Sequence, residues 1–180
     1  MATLFEKIKS KALNPKTQID MGEFSKNTIP LKVTLEQLAN CEKELGFQLP
    51  ELLKQCYTEI GNGNFGPGYG LLPLFPTKKN YNGTEEENIL EFNKEFIACN
   101  FDFWTPSCIP LVHWGCGIYS FMDLAEPDKN IMIFDGNSFE EDIPESGIFE
   151  TKRNLNSFFE AWAQNIKIWD EMFSDFEDNS

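Results

Sequence analysis

The order of apolar and polar residues divides this chain into segments with a helical period and segments typical of strands. The stretch TLEQLANCEKELG, residues 34–46, repeats its apolar residues every three to four positions, which predicts an amphipathic helix. Thr34 and Gln37 have the spacing of a capping box, and Gly46 follows the last apolar position. The buried side of this helix is predicted to carry Leu35, Leu38, Cys41 and Leu45.

A second helix is predicted over PELLKQCYTEI, residues 50–60, whose apolar residues again fall on one side. Pro50 stands at the position that proline favours at the start of a helix. Gly61 follows the last apolar residue, where a left-handed C-cap favours glycine.

Three further helices are predicted, over residues 3–13, 84–100 and 156–173. The second of them begins with Thr84 and Glu87 in the relation of a capping box. The third has the clearest apolar period of the chain, and its predicted inner side is Phe158, Phe159, Trp162, Ile166, Trp169 and Phe173.

Between the last two helices lie three short runs rich in aliphatic and aromatic residues. IPLVH at 109–113, GIYSFMDL at 117–124 and IMIFDG at 131–136 are separated by turn residues, which predicts successive antiparallel strands. Helices beside such strands make the expected fold class α+β, a single domain with an antiparallel β-sheet flanked by α-helices.

One acidic residue interrupts the apolar side of the first long helix. By helical spacing Glu42 falls between Leu35 and Leu38, where an unpaired carboxylate would be costly. The turn to the next helix is short, so we expect the free backbone N–H groups near residues 50–53 to be its partners.

Composition limits the classes of partner. The chain has 180 residues, 41% of them hydrophobic, with 17 Phe, and its formal net charge is -14. The hydrophobic content can fill one core, while the charge opposes binding to nucleic acid or to an anionic membrane and favours a basic partner. The alternative is that this charge serves only solubility. Lysines interrupt the N-terminal segment, and no apolar run reaches membrane-spanning length, so we expect a cytoplasmic protein.

The five cysteines, an odd number, contain no C-x-x-C pair and stand mostly among apolar residues. Reduced, buried thiols are therefore expected rather than disulfides or a zinc site. Their positions are Cys41, Cys56, Cys99, Cys108 and Cys116.

Residues 61–66, GNGNFG, match the G-x-G-x-x-G pattern of dinucleotide-binding loops. In such loops the glycines follow a strand and open a helix, whose N-terminus attracts phosphate. Here they follow the negative end of a predicted helix, and Pro67 and Pro73 oppose a new one. We therefore expect a shaped loop, and no cofactor.

Catalytic chemistry would have to be built around His113, the only histidine. Cys116 lies three residues further on, and in an extended strand that offset points the two side chains to opposite faces. No motif of a hydrolase, a metalloprotease, a deaminase or a P-loop protein is present. A structural His113 is expected, with no catalytic and no metal-binding residues; an enzyme would need an activated His113 or Cys116.

The stretch CEKELGFQLPELLKQCYTEIGNGNFGPGYGLLPL resembles the helix–turn–helix entry of the SUKH superfamily, the group named after the yeast cell-wall assembly regulator. WTPSCIPLVHWGCGIYSFMDL looks like the central strands of that family, and LNSFFEAWAQN like its closing helix. On this resemblance residues 1–33 are a lead-in, 34–173 the SUKH-like domain and 174–180 an acidic tail. The positions that match the entry motif are Glu42, Leu45, Gly46, Leu49, Pro50, Gly61, Asn62 and Gly63.

The resemblance implies a protein-binding module without catalytic residues. Bacterial members of the family are mostly immunity proteins that neutralise a polymorphic toxin by occlusion, and eukaryotic members are adaptors and regulators. A basic toxin domain such as a nuclease fits the negative charge of this chain. The alternative is a regulatory adaptor of the cell-wall assembly type, and the oligomeric state is left open.

The expected contact surface combines the glycine-rich loop at 61–70, the central strands and an acidic loop, because aromatic residues and loops often anchor interfaces. For Phe65 and Tyr69 the alternative is that they fold inward onto the core. The expected contact residues are Asn62, Asn64, Phe65, Tyr69, Trp114, Tyr119, Glu140, Glu141 and Asp142.

Overall fold

Helices precede a four-stranded sheet, and one more helix follows it. The structure is a computed structural model that describes residues 2–14, 29–76, 87–140, 142–143 and 146–171. In chain order the elements are α1 (Leu4–Ala12), α2 (Leu35–Leu45), α3 (Glu51–Gln55) continued by a π-helical turn (Cys56–Ile60), α4 (Ile89–Cys99), β1 (Cys108–Gly115), β2 (Ile118–Asp123), β3 (Asn130–Asp135), β4 (Ile148–Asn154) and α5 (Leu155–Ala163).

The sheet is an antiparallel meander in the order β1-β2-β3-β4. Its first three strands confirm the three predicted runs, whereas β4 is absent from the sequence-based prediction. β4 has the sequence IFETKRN, in which only the first two residues are apolar. It is an outer strand of the sheet, and only its Thr151 is buried. A strand of that kind leaves a weak hydrophobic pattern.

Helices cover both faces of the sheet. Neighbouring residues of β2 point to opposite faces: Ser120 accepts a hydrogen bond from the Trp114 indole, whose ring contacts Phe158 of α5, while the Tyr119 ring lies 4.5 Å from that of Phe92 in α4. This arrangement confirms the single α+β domain, with α5 on one face and α4 on the other.

The predicted boundaries of α2 are correct. Thr34 and Gln37 form the capping box, with hydrogen bonds of 2.9 and 3.2 Å, and Gly46 ends the helix in the left-handed region at φ 78°. The expected burial of Leu35 is wrong: its side chain is 77% exposed. The first turn of α2 extends beyond the core, which begins to cover the helix at Leu38.

Gly61 ends the second helix for a different reason from the one predicted. Its φ of 171° is extended rather than left-handed. A Cβ atom there would lie 2.3 Å from Ile29 Cγ2 and 2.5 Å from the Pro30 carbonyl oxygen. Glycine is therefore needed because residues 29–30 pass directly against it. Pro50, expected at the first helical position, is the N-cap.

The boundaries of α4 and α5 also differ from the prediction, whereas α1, with its caps Thr3 and Leu13, agrees with the predicted range 3–13. α4 begins at Ile89, where the Asn88 side chain accepts a hydrogen bond from Glu91 N, so Glu87 precedes the helix; Thr84 lies outside the described residues. The closing helix breaks after Ala163, and Asn165 takes a φ of 60° before a helical turn at residues 168–171.

The N-terminal helix belongs to the same core. Lys11 of α1 is only 8% exposed. Its ammonium donates to the Trp162 carbonyl and to Asn165 Oδ1 and lies 4.6 Å from the centre of the Trp162 ring. This cation satisfies acceptors at the carboxyl end of α5, where positive charge is favourable. The domain boundaries at 33/34 and 173/174 stay predictions, and the predicted tail 174–180 lies outside the described residues.

Glu42 has the kind of partner that its sequence position predicts. The side chain is buried at 8% exposure, and one carboxylate oxygen accepts a hydrogen bond of 2.8 Å from the Leu49 backbone. This donor lies one residue before the expected range. Lys54 Nζ lies 3.0 Å from the same oxygen, so the charge is both paired and hydrogen-bonded. Glu42 thereby fixes the corner between α2 and α3.

Glu42→Gln should lower the free energy of unfolding by about 1 kcal/mol, because it removes the charge of the buried pair and keeps an acceptor for Leu49. Glu42→Ala should lower it by about 3 kcal/mol, because Leu49 N–H and Lys54 both lose their partner. Urea denaturation measures both. Glu44→Gln is the matched control: Glu44 pairs with Lys94 on the surface, at 46% and 52% exposure, and its loss should change stability by less than about 0.5 kcal/mol. Equal urea midpoints for all three variants would contradict the role of Glu42 as a buried, paired carboxylate.

Candidate functional site

One end of the sheet brings together three surface segments. The β1–β2 turn at 115–117 is the centre. The backbone N–H of Tyr69 donates to the His113 carbonyl at 2.9 Å, and Asn137 Nδ2 donates to the Cys116 carbonyl at 2.6 Å. The glycine-rich loop thus attaches to β1 just before this turn, and the loop after β3 attaches to the turn itself. We call the exposed part, comprising Tyr69, Cys116, Asn137, Glu140 and Asp142, the turn-end surface.

Contacts within the chain hold Tyr69 in place. Its ring centroid lies 5.6 Å from that of His113, and 39% of the residue remains exposed. The preceding Gly68 has φ +57°, and a Cβ there would lie 2.8 Å from the Trp114 ring. The loop can pass this close to Trp114 only at a glycine. The glycines therefore shape a loop that presents one aromatic side chain.

His113 lies in an aromatic and acidic environment beside Tyr69. Its ring stacks on Tyr119 at a centroid distance of 4.5 Å and an interplanar angle of 10°, and Nδ1 lies 3.7 Å from a Glu87 carboxylate oxygen. Burial lowers the pKa of His113 below its ordinary value, and the negative charge of Glu87 offsets part of that shift. Burial and the same carboxylate raise the pKa of Tyr119, whose hydroxyl donates to Glu87. Both rings are therefore neutral at pH 7.

The loop after β3 is ordered by an aspartate. Asp135 accepts hydrogen bonds from the Asn137 backbone at 2.9 Å and from the Ser138 hydroxyl at 2.8 Å. Burial acts to raise the pKa of Asp135, but these hydrogen bonds outweigh it and hold the pKa below its usual value. This carboxylate closes the turn that carries Glu140 and Asp142.

A comparison with known protein families identifies the fold. The sequence profile of the SMI1 / KNR4 family (SUKH-1) matches residues 32–163. The chain belongs to that family. A comparison with curated protein sequences gives no significant match. The SUKH-1 match includes the helix–turn–helix entry, the glycine-rich loop, all four strands and α5, so it agrees with the resemblance drawn from the sequence.

Four of the expected contact residues in this SUKH-1 chain belong to its interior, so their expected exposure is corrected. Asn62 is 1% exposed because its amide binds the backbone of Leu74 and Phe75. Phe65, at 4%, folds inward onto the core, which is the alternative that the sequence left open. Trp114 and Tyr119 are at 5% and 9% because α5 and α4 cover them.

The other expected contact residues have surface positions. Asn64 is half-buried with φ 62°, next to Gly70, while Tyr69, Glu140 and Asp142 are exposed; Glu141 lies outside the described residues. Their contact with a partner stays a prediction. Sequence reasoning did not place Cys116 or Asn137 in the contact surface, although the Asp-Gly-Asn-Ser sequence at 135–138 is a recognisable turn signal.

The cysteines fall into two groups. Cys41, Cys56 and Cys108 are buried, and burial raises the pKa of Cys41 to about 11 and that of Cys56 to about 12. Cys99 and Cys116 are exposed, which corrects the expectation of buried thiols for these two. Cys99 lies at the solvent-facing end of α4, and Cys116 in the β1–β2 turn.

Neither a metal cluster nor a membrane-spanning helix occurs in the part of the chain that the structure describes. No three His, Cys, Asp or Glu residues lie close enough together there to hold a metal ion. Likewise, none of the described helices has the length and apolar composition needed to cross a bilayer.

The titration of His113 tests this geometry directly, because the ring signals of a single histidine can be followed by NMR without overlap. We expect a midpoint below 6.5, and a further decrease in Glu87→Gln, which removes the carboxylate that favours the imidazolium. Because the folded chain lowers the pKa of His113, the unfolded chain binds this proton more tightly. The free energy of unfolding should therefore fall as pH drops below about 6.5. A titration midpoint above 6.5, or one raised by Glu87→Gln, would contradict a partly buried His113 whose charged form is favoured by Glu87.

Thiol accessibility gives a second check. In the folded protein, dithionitrobenzoate should react with Cys99 and Cys116 and leave the three buried cysteines unmodified. All five should react in urea. In the double variant Cys99→Ser/Cys116→Ser the folded protein should show no rapid reaction, and rapid modification of that variant would place a third thiol at the surface.

Proposed function

We propose that this SUKH-1 chain is a non-catalytic protein-binding module, a cytoplasmic immunity protein that neutralises a cognate polymorphic toxin by binding and occluding it. Its partner is a basic toxin domain, such as a nuclease. The observation that carries the proposal is the net charge of -14 on a domain whose turn-end surface presents an ordered aromatic residue at the same end of the sheet as exposed carboxylates.

Electrostatics supports a basic protein partner. The chain has 29 acidic against 15 basic residues, so its field attracts a positive domain and repels nucleic acid. The phosphate-binding groove of a nuclease is itself positive. An acidic inhibitor can therefore associate rapidly with it and cover the surface that its substrate needs.

The turn-end surface supports the binding role. Tyr69 is the exposed aromatic anchor, and its backbone is already bonded to His113, so little conformational freedom is lost on binding. Glu140 and Asp142 lie on the loop attached to the same turn. A surface that carries an exposed aromatic residue and exposed carboxylates is suited to a cationic surface that contains an apolar depression.

The state of His113 supports a non-catalytic role. Its imidazole stacks on the Tyr119 ring and contacts the Tyr69 ring, so packing between aromatic side chains accounts for a histidine at this position. A regulatory adaptor would use the same surface, with weaker association to several endogenous proteins.

The test is titration calorimetry with the purified basic toxin domain encoded beside this chain, at low and high salt. We expect a 1:1 complex that weakens as salt rises and abolishes the activity of the toxin domain. Tyr69→Ala should weaken it about 30-fold, as expected for an interface anchor. Glu140→Gln/Asp142→Asn should weaken it about tenfold.

The matched control is Glu36→Gln/Glu51→Gln, which changes the net charge equally at exposed positions of α2 and α3. It should leave affinity within about twofold. Absence of a complex, or a complex that leaves the toxin active, would overturn the immunity proposal. Weak binding to several host proteins instead would favour the adaptor.

A further inference from the structure

A groove opens on the α4 side of the sheet, at the end opposite to the turn-end surface. It lies between the segment 103–105 and strands β2, β3 and β4, and its volume is about 440 Å³. That is within the usual range for sites that take a ligand or a few side chains. We call it the acidic groove. None of the residues that line it belongs to the contact surface discussed above.

The floor of the acidic groove is apolar. Phe121 pairs with Met132 across β2 and β3, so both project on the same face, and the Phe103 ring lies 6.1 Å from that of Phe121. Ile148 of β4 completes the floor. Phe103, Met132 and Ile148 are each only partly buried. The open floor follows from the position of α4, whose Phe92 and Phe96 cover Tyr119 and Phe134 nearer the other end of the sheet.

The rim of the acidic groove is negative. Asp123, Glu126 and Glu150 line it, and Lys129 is the one cation among the lining residues. The Lys129 ammonium pairs with Glu126. Asp123 accepts from the Ala125 backbone and Glu150 from the Asn130 amide, both neutral donors. The charge of Lys129 also acts on Asp123 and Glu150, but three carboxylates against one ammonium leave the rim with a net negative charge.

We propose that the acidic groove docks a basic segment of a partner protein. An apolar side chain of that segment lies on Phe121 and Met132, while flanking arginine or lysine side chains pair with Asp123 and Glu150. The inference rests on the proposed function in taking the partner to be a basic protein. Charge complementarity selects this occupant: an anionic ligand is repelled by the rim, and a second copy of this chain carries the same charge of -14.

A defined probe tests the groove without a known partner. The probe is the acetylated, amidated peptide Arg-Leu-Arg-Phe-Arg, and the comparison peptide has Glu in place of each Arg. We expect the basic peptide to shift the methyl NMR signals of Met132 and Ile148 in a saturable way, and the acidic peptide to leave them unchanged. Weakening at high salt is also expected.

Variants distinguish binding at the acidic groove from nonspecific attraction to the net charge of the chain. Asp123→Asn/Glu150→Gln keeps both hydrogen-bond acceptors and should weaken the basic peptide about tenfold. Glu36→Gln/Glu51→Gln carries the same net charge and should bind it as the wild type does. Met132→Lys, at a partly exposed position, should abolish binding while circular dichroism and the unfolding midpoint show a folded protein.

Absence of saturable shifts at Met132 and Ile148, or equal weakening by the two charge variants, would overturn the inference. Its failure and that of the immunity role are distinguishable. A toxin complex that forms equally well with Asp123→Asn/Glu150→Gln overturns the groove and leaves the immunity role intact. Groove-specific peptide binding in a chain that forms no toxin complex supports the groove and overturns the immunity role.

Discussion

The buried amide of Asn62 is the constraint on which the candidate surface depends. Its Oδ1 accepts a hydrogen bond of 2.8 Å from Leu74 N, and its Nδ2 donates at 2.9 Å to the Phe75 carbonyl. The Tyr57 hydroxyl donates to the Leu72 carbonyl nearby. These bonds close the glycine-rich segment into a loop, since one side chain at its start satisfies the backbone at its end. Polar groups this deeply buried specify one arrangement, because any other leaves them unpaired.

That closed loop explains how the chain presents an aromatic residue without a flexible surface. Leu72 N donates to the Leu111 carbonyl, so the end of the loop pairs with β1, and Tyr69 is attached two residues further along the same strand. The loop therefore extends the sheet, and its hydrogen bonds to β1 restrict the movement of the Tyr69 backbone. A site held in this way can be selective, because it does not have to be ordered when a partner binds.

Sequence alone predicted the elements whose period or caps are local. α2, with its capping box and Gly46, and the first three strands need only neighbouring residues to be recognised. It failed where the reason is tertiary: Gly61 is a glycine because residues 29–30 pass against it. The surface was predicted least well. Phe65, Trp114 and Tyr119 are aromatic residues of the kind that anchor interfaces, but all three are buried, and the burial of Trp114 and Tyr119 depends on where α5 and α4 pack. The acidic groove was missed for the same reason, because its rim and floor come from separate strands.

The contact between Lys11 and the end of α5 also bears on when this protein can fold. The two partners, Lys11 and Trp162, are 151 residues apart in the chain. On the ribosome α1 therefore emerges long before the carbonyl that its lysine binds, and contacts of such long sequence separation form late. Until residues 155–165 have left the exit tunnel, α1 can pack only against the turn at Cys56–Ile60 and lacks its contact with α5. The final packing of the first helix must then be one of the last events of its biosynthesis.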